Sequence, residues 1–135
     1  MTTKSAATVS ALRHLTALSG NAEEKYVALR RAVLIRHGET AWTLMGRHTG
    51  RTDIPLTGSG RDAARQLAPI AAQAKFSRVL TSPMRRARQT CELAGLAAHA
   101  ETDADLLEWN YGDYEGLTAQ EIYARQPEWR VFTHG

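Results

Sequence analysis

The apolar run Ala32-Val33-Leu34-Ile35 is the first strong element signal along the chain, and it stops at the polar stretch Arg36-His37-Gly38-Glu39-Thr40. A short continuous run of branched apolar residues is typical of a strand buried on both faces. Ligands of open α/β sheets bind outside the carboxyl ends of the strands. The pattern therefore predicts a buried strand over residues 32–35 that delivers an arginine and a histidine to a binding edge.

Further along the chain, apolar residues recur at helical spacing from Ser59 to Ala74, where Pro69 predicts a kink. Arg78 to Thr81 is a second predicted strand, and a helix from Met84 to about Ala98 follows it. Thr118-Ala119-Gln120-Glu121 is a capping box that opens another helix, which Pro127 ends. Strands that alternate with helices predict a mostly parallel sheet covered on both faces.

His37 is the first candidate for chemistry. A glycine beside it lets the backbone approach a ligand closely, and Arg36 adds a rigid cation. The grouping suits an imidazole that attacks phosphorus. Taken alone, it is equally compatible with a half-buried histidine that is hydrogen-bonded to backbone at a strand end.

Two later segments favour the functional interpretation. Residues 47–57 form a loop-like stretch with several donors suited to oxyanions, which predicts a substrate loop. The helix after Ser82-Pro83 carries three arginines in its first turns, where positive charge opposes the helix dipole. An anion bound at this helix start would explain them. We expect Arg85 and Arg88 on a solvated face and Arg86 at the site.

The segment from Leu106 to Gly116 alternates carboxylates with aromatic rings and glycines. A carboxylate walled by Trp109 and Tyr111 would have a raised pKa and would suit a general acid. For Glu115 we favour the simpler interpretation of an acid in an ordinary loop.

Composition narrows the function classes. The chain carries 17 Lys and Arg against 14 Asp and Glu, and this excess is too small and scattered to indicate nucleic-acid binding. Cys91 is the one cysteine, so no intramolecular disulfide forms, and its position suggests a buried spacer. The sequence has no P-loop, EF-hand, paired-cysteine or His-Glu-x-x-His motif, so neither a metal nor another cofactor is expected.

Residues 1–30 differ from the rest, with seven Ser/Thr and no acid before Glu23. This composition is compatible with an organellar transit peptide, although an extended or mis-assigned start explains it better. No apolar run is long enough for a signal peptide or a membrane span. We therefore expect an N-terminal extension over residues 1–30, disordered in one interpretation, and a cytoplasmic protein without a membrane partner.

Four motifs, in this order, resemble the histidine phosphatase superfamily, also called phosphoglycerate-mutase-like. They are Arg36-His37-Gly38-Glu39-Thr40, Thr49-Gly50 with Asp53 and Pro55-Leu56, Ser82-Pro83-Met84-Arg85-Arg86-Ala87, and Leu107-Glu108 with Gly112 and Glu115-Gly116. The resemblance implies a three-layer α/β fold, with a mostly parallel sheet and helices on both faces. Residues 31–135 would be the N-terminal portion of such a domain, lacking its C-terminal part.

The resemblance also implies an activity. This activity is metal-independent hydrolysis of a small phosphorylated metabolite through a phosphohistidine on His37. Arg36 and Arg86 would bind the phosphoryl group, and Glu108 would be the proton donor. The implied phosphate-binding residues are Arg36, Thr43, Thr49, Gly50 and Arg86. Thr43 stands where many mutase-like relatives have asparagine.

One departure from the family pattern concerns a second catalytic histidine. Thr133-His134-Gly135 looks like the family's Ser/Thr-His-Gly motif, but it directly follows residues 127–132, which resemble a much earlier substrate-loop segment. We therefore do not expect His134 to be catalytic. A phosphoglycerate mutase (an isomerase) and a catalytically incomplete phosphate-binding fragment stay open as alternatives, as does a homodimer.

Overall fold

The computed structural model describes residues 32–134. The chain divides into two compact units, residues 1–36 and residues 37–135, so that only residues 32–36 of the first unit are described. The predictions for residues 1–30 lie outside the described residues.

The second unit has an α/β architecture built on one parallel strand pair. Strand β1 pairs with β2 so that Val79 lies opposite Ala100 and Thr81 opposite Thr102. Helix α4 connects the two strands and packs against α2. The strands are β1 Val79–Thr81 and β2 Ala100–Thr102, and the helices are α1 Ala41–Leu44, α2 Gly58–Arg65, α3 Ala68–Ala71, α4 Arg85–Leu93, α5 Ala119–Arg125 and α6 Val131–His134. Single 3₁₀ turns cover Ala97–His99, Ala104–Leu106 and Gly112–Tyr114.

The predicted strand over residues 32–35 is wrong for this structure. These residues have no strand conformation, and Leu34 is 91% exposed. An extended segment becomes a strand when a neighbouring strand takes up its N–H and C=O groups. Among residues 32–134 the ladder consists of β1 and β2 alone. Strand β1 itself matches the prediction for residues 78–81 to within one residue.

Helix α4 ends at Leu93, five residues before the predicted end at Ala98. Gly95 has φ +75°, and the N–H groups of Gly95 and Leu96 donate to the carbonyls of Glu92 and Cys91. This is the Schellman arrangement, in which a glycine in the left-handed region closes the helix. The stop signal was present in the sequence as Gly95.

The other helix predictions hold with one adjustment. The predicted helix from Ser59 to Ala74 is two helices, α2 and α3, with a break at residues 66–67. Pro69 has no N–H to donate to the carbonyl of Arg65, four residues earlier, and its ring crowds that carbonyl, so α2 ends at Arg65. Helix α5 begins at the predicted capping box, in which Thr118 accepts from the Glu121 N–H and donates its own N–H to the Glu121 carboxylate. It ends before Pro127.

Trp129 is the largest aromatic side chain in the core and is 2% exposed. Its ring meets those of His48, Tyr114 and Tyr123 edge-on, at centroid distances of 5.3, 5.7 and 6.3 Å. This cluster joins the loop after α1 to the segments on both sides of α5. The other buried apolar residues are Leu56, Ala64, Ala71, Met84, Ala94 and Ile122. Within the described range, every helix is too short or too polar to cross a membrane.

Candidate active site

His37 is half-buried, and its ring is held by the backbone. Nδ1 lies 2.8 Å from the carbonyl oxygen of Gly38. A carbonyl oxygen only accepts, so Nδ1 carries a proton, and in the neutral imidazole the lone pair is then on Nε2. The sequence left two interpretations of His37 open, a nucleophile and a histidine hydrogen-bonded to backbone. The hydrogen bond to backbone is present, and this geometry is also compatible with a nucleophile.

Gly38 has no room for a side chain. A Cβ built on it would lie 2.5 Å from the carbonyl oxygen of Gly60, and one built on Gly60 would lie 2.2 Å from that of Glu39. The residues after His37 therefore cross the start of α2 backbone against backbone. The sequence predicted that the backbone at Gly38 approaches a ligand closely. In the structure, this backbone closely approaches the backbone of α2 at Gly60.

Arg86 is 3% exposed, and its guanidinium lies among the carbonyl groups of the 47–53 loop. Nη1 donates to Thr52 at 3.0 Å, and Nη2 donates to Gly50 at 2.8 Å and to Thr49 at 3.4 Å. Arg85 and Arg88 are exposed on α4, as predicted. Nε and the second Nη1 hydrogen of Arg86 make no hydrogen bond to any residue between 32 and 134.

The electrostatic setting of Arg86 follows from its burial. Burial lowers the pKa of its guanidinium, while the negative charges of Asp53, Glu108 and Glu115 act to raise it. An arginine stays protonated under such shifts. The arrangement therefore fixes a positive charge beside the loop.

Glu115 holds the opposite side of the same loop. One carboxylate oxygen accepts from the N–H groups of Gly50 (2.7 Å) and Arg51 (3.0 Å). The other accepts from the N–H of Thr52 (3.1 Å) and from its hydroxyl (2.6 Å). The expectation of an ordinary loop acid was wrong, because a row of loop N–H groups is an anion-binding nest that this carboxylate fills.

The pKa of Glu115 reflects this nest. Partial burial acts to raise the pKa, but the hydrogen bonds from Thr52, Arg51 and Gly50 outweigh it, so the pKa lies below its ordinary value. Gly50 is essential to the geometry, since a Cβ there would lie 2.0 Å from the Trp109 carbonyl oxygen and 2.3 Å from the Glu115 carboxylate.

Thr49 and Gly50, the predicted phosphate-binding residues of the loop, make hydrogen bonds within the protein. The Gly50 N–H bonds Glu115, and the Thr49 hydroxyl donates to the Arg47 carbonyl at 3.2 Å. Thr43 lies in α1, where its hydroxyl donates to the Thr40 carbonyl and accepts from the Thr40 N–H. It completes a capping box at the start of α1.

The start of α4 binds an anion supplied by the chain itself. The Arg85 N–H donates to the Asp53 carboxylate at 2.7 Å. The sequence predicted a bound anion at this helix start. In the structure, the Arg85 N–H is hydrogen-bonded to the carboxylate of Asp53, an anion of the chain itself. Asp53 thereby ties the end of the substrate loop to α4.

Glu108 and Arg36 are both exposed. The Glu108 carboxylate accepts from the N–H of Trp109 at 3.0 Å. The Trp109 ring meets Phe132 and the Tyr111 ring meets His48. The wall of two aromatic rings around a carboxylate stays a prediction. Arg36 belongs to the first unit.

Sequence reasoning missed three residues of this site: Glu115, Thr52 and Thr90. Thr90 bonds the Gly38 N–H at 3.0 Å. Two signals were present in the sequence: Glu115 stands between two glycines, and Thr90 follows Arg86 by one helical turn. Their hydrogen-bond partners, however, lie more than 50 positions away along the chain. No group of three or more His, Cys, Asp or Glu side chains able to hold a metal ion occurs in the described part of the chain.

Comparison with known proteins gives a consistent picture. The model of the histidine phosphatase superfamily (branch 1) matches residues 32–134. An acid phosphatase of Mycobacterium tuberculosis is 45% identical over 107 residues, which are 78% of this chain and 52% of that protein. A 2,3-bisphosphoglycerate-dependent phosphoglycerate mutase of Gloeobacter violaceus is 37% identical over 101 residues, covering 71% and 46%.

A solved structure of a Mycobacterium tuberculosis open reading frame shares 44% identity with a TM-score of 0.67, covering 73% of this chain and 52% of that one. The chain spans about half the length of the curated relatives that it matches.

Proposed function

The chain belongs to the histidine phosphatase superfamily, and from that membership we propose that it hydrolyses a small phosphorylated metabolite through a phosphohistidine on His37. The observation that carries the proposal is the bond from His37 Nδ1–H to the Gly38 carbonyl. In the neutral imidazole this bond places the lone pair on Nε2, the nitrogen farther from the backbone, and that form of imidazole attacks an electrophile.

The reaction has two displacements at phosphorus. In the first, the Nε2 lone pair forms the N–P bond while the ester P–O bond breaks, and Glu108 gives its proton to the leaving oxygen. In the second, water attacks the phosphohistidine, its oxygen replaces Nε2, and the Glu108 carboxylate takes the proton that water loses. Inorganic phosphate leaves, and both His37 and Glu108 return to their starting forms.

Positive charge stabilises the phosphoryl oxygens during both displacements. Arg86 supplies it through Nε and the remaining Nη1 hydrogen, while its other donors stay on the loop. The resemblance to the family assigns the second guanidinium to Arg36, which directly precedes His37 in the sequence. Thr49 and Gly50 contribute by holding Arg86 through their carbonyl groups. We leave Thr43 out of the proposal, because its hydroxyl hydrogen is given to Thr40.

A phosphoglycerate mutase is the second candidate, and the similarity to the Gloeobacter enzyme favours keeping it. The same phosphohistidine would then pass its phosphoryl group to a hydroxyl of a sugar acid instead of to water.

The test is hydrolysis of an aryl phosphate, with a chelator present, by the 135-residue chain, its His37→Ala variant and a His99→Ala control. His99 is exposed in a 3₁₀ turn, so its loss leaves the site intact. The proposal predicts turnover by the chain and the control, and none by His37→Ala. A folded chain without turnover would favour the catalytically incomplete phosphate-binding fragment, and equal turnover by all three would contradict the role of His37.

A further inference from the structure

Thr90 lies on the inner face of α4 and is 4% exposed. Its hydroxyl donates to the carbonyl of Arg86, one turn earlier, at 2.7 Å. The same oxygen accepts from the N–H of Gly38 at 3.0 Å. Because the hydroxyl hydrogen is committed to Arg86, a lone pair is directed toward Gly38. One small side chain therefore joins the helix of Arg86 to the residue after His37.

Gly38 links Thr90 to the imidazole of His37 through two hydrogen bonds. Its N–H is held by Thr90, and its carbonyl accepts from His37 Nδ1–H at 2.8 Å. The contact with Gly60 bounds the glycine on another side, where no Cβ fits. The peptide groups that flank Gly38 are thus fixed by α2 and α4 together.

We propose that Thr90 is a positioning residue, which sets the ring orientation and the Nδ1–H tautomer of His37 and places that ring in register with Arg86. The chain of hydrogen bonds runs from the His37 ring through Gly38 and the Thr90 hydroxyl to the Arg86 carbonyl. The proposal rests on the proposed function in so far as His37 is the nucleophile. Thr90 itself touches no reacting atom.

A threonine that bonds the carbonyl four residues earlier is common in helices and by itself has only a small effect on stability. The Gly38 N–H is the distinguishing contact. Without the hydroxyl, that partly buried N–H loses its partner, and recovering one requires the backbone beside His37 to move. A displacement of about 1 Å at a reacting group costs roughly 100-fold in rate.

The experiment compares Thr90→Val, which keeps the shape and removes the hydroxyl, with Thr90→Ser, which keeps the hydroxyl. Thr118→Val is the matched control, because it removes another hydrogen-bonding threonine hydroxyl at the capping box of α5. Nitrogen-15 NMR of the imidazole, assigned with His37→Ala, reports the tautomer of His37. Rapid quenching with an aryl phosphate reports the rate of phosphohistidine formation, and urea unfolding shows that each variant is folded.

We expect Thr90→Val to lose the pure Nδ1–H tautomer and to form phosphohistidine roughly 100-fold more slowly. Thr90→Ser and Thr118→Val should keep the tautomer and the rate. A folded Thr90→Val variant with an unchanged tautomer overturns the positioning role, whatever its stability. If the unsubstituted chain forms no phosphohistidine, the NMR comparison alone decides the role of Thr90, and the proposed function fails separately.

Discussion

At the scale of single residues, the charged side chains of Arg86 and Glu115 are both hydrogen-bonded to the backbone of the 47–53 loop. The Arg86 guanidinium donates to the carbonyl groups of Thr49, Gly50 and Thr52. The Glu115 carboxylate accepts from the N–H groups of residues 50–52. Hydrogen bonds to charged groups are among the stronger ones in proteins. The loop is therefore fixed from both sides by charges that do not pair with each other directly.

The first prediction concerns Gly50. Gly50→Ala should destabilise the second unit by about 2–4 kcal/mol, since its Cβ would force apart the Trp109 carbonyl and the Glu115 carboxylate. Gly58→Ala is the control, because that glycine begins α2 with nothing within 4 Å of its Cβ position. Urea unfolding measures both, and equal stability of the two variants would show that the loop does not pack as described.

At the scale of elements, local signals were readable from the sequence and non-local ones were not. The capping box of α5 and the break before Pro69 depend on a few neighbouring residues, so they were predicted closely. The strand over residues 32–35 was mispredicted because strand formation depends on a partner elsewhere in the chain. The exposure of Arg85 and Arg88 followed from the general preference of charged helix positions for solvent. The partners of Glu115, in contrast, lie 63 to 65 positions away along the chain.

The second prediction concerns the pH dependence of the Glu115 contact. A carboxylate whose pKa is lower in the folded state adds stability above its unfolded pKa, about 4.3, and that stability is lost as the pH falls through the folded pKa. Glu115→Gln should therefore reduce the free energy of unfolding at pH 7 by about 2 kcal/mol and flatten its decline below pH 4.3.

Urea unfolding between neutral and acidic pH checks this prediction. Glu128→Gln is the matched control, since it removes one exposed carboxylate and should leave the pH dependence close to that of the unsubstituted chain. A Glu115→Gln variant as acid-sensitive as the unsubstituted chain would mean that the nest does not hold the carboxylate in solution.

At the scale of the whole second unit, a small core carries the fold. The Trp129 cluster connects the loop after α1, the segment before α5 and the segment after it, while α2 and α4 pack on each other. The site draws on both regions, because His37 and Arg86 are joined through α4 and the loop is closed by Glu115, four residues before α5.

The third prediction concerns this cluster. Trp129→Ala should lower the free energy of unfolding by about 3–5 kcal/mol, the usual cost of removing a buried large aromatic side chain. Trp109→Ala should cost much less, since that ring is 44% exposed. Thermal unfolding followed by circular dichroism compares them, and a reversed order would contradict the placement of the two indoles.

The phosphohistidine is the central claim, and the most direct measurement is its location after a single turnover. The chain is mixed with an aryl phosphate, quenched at alkaline pH to preserve an N–P bond, and digested for tandem mass spectrometry. We predict one phosphoryl group, on His37. Turnover without a phosphorylated histidine, or with the phosphoryl group on His48 or His99 instead, would contradict the account.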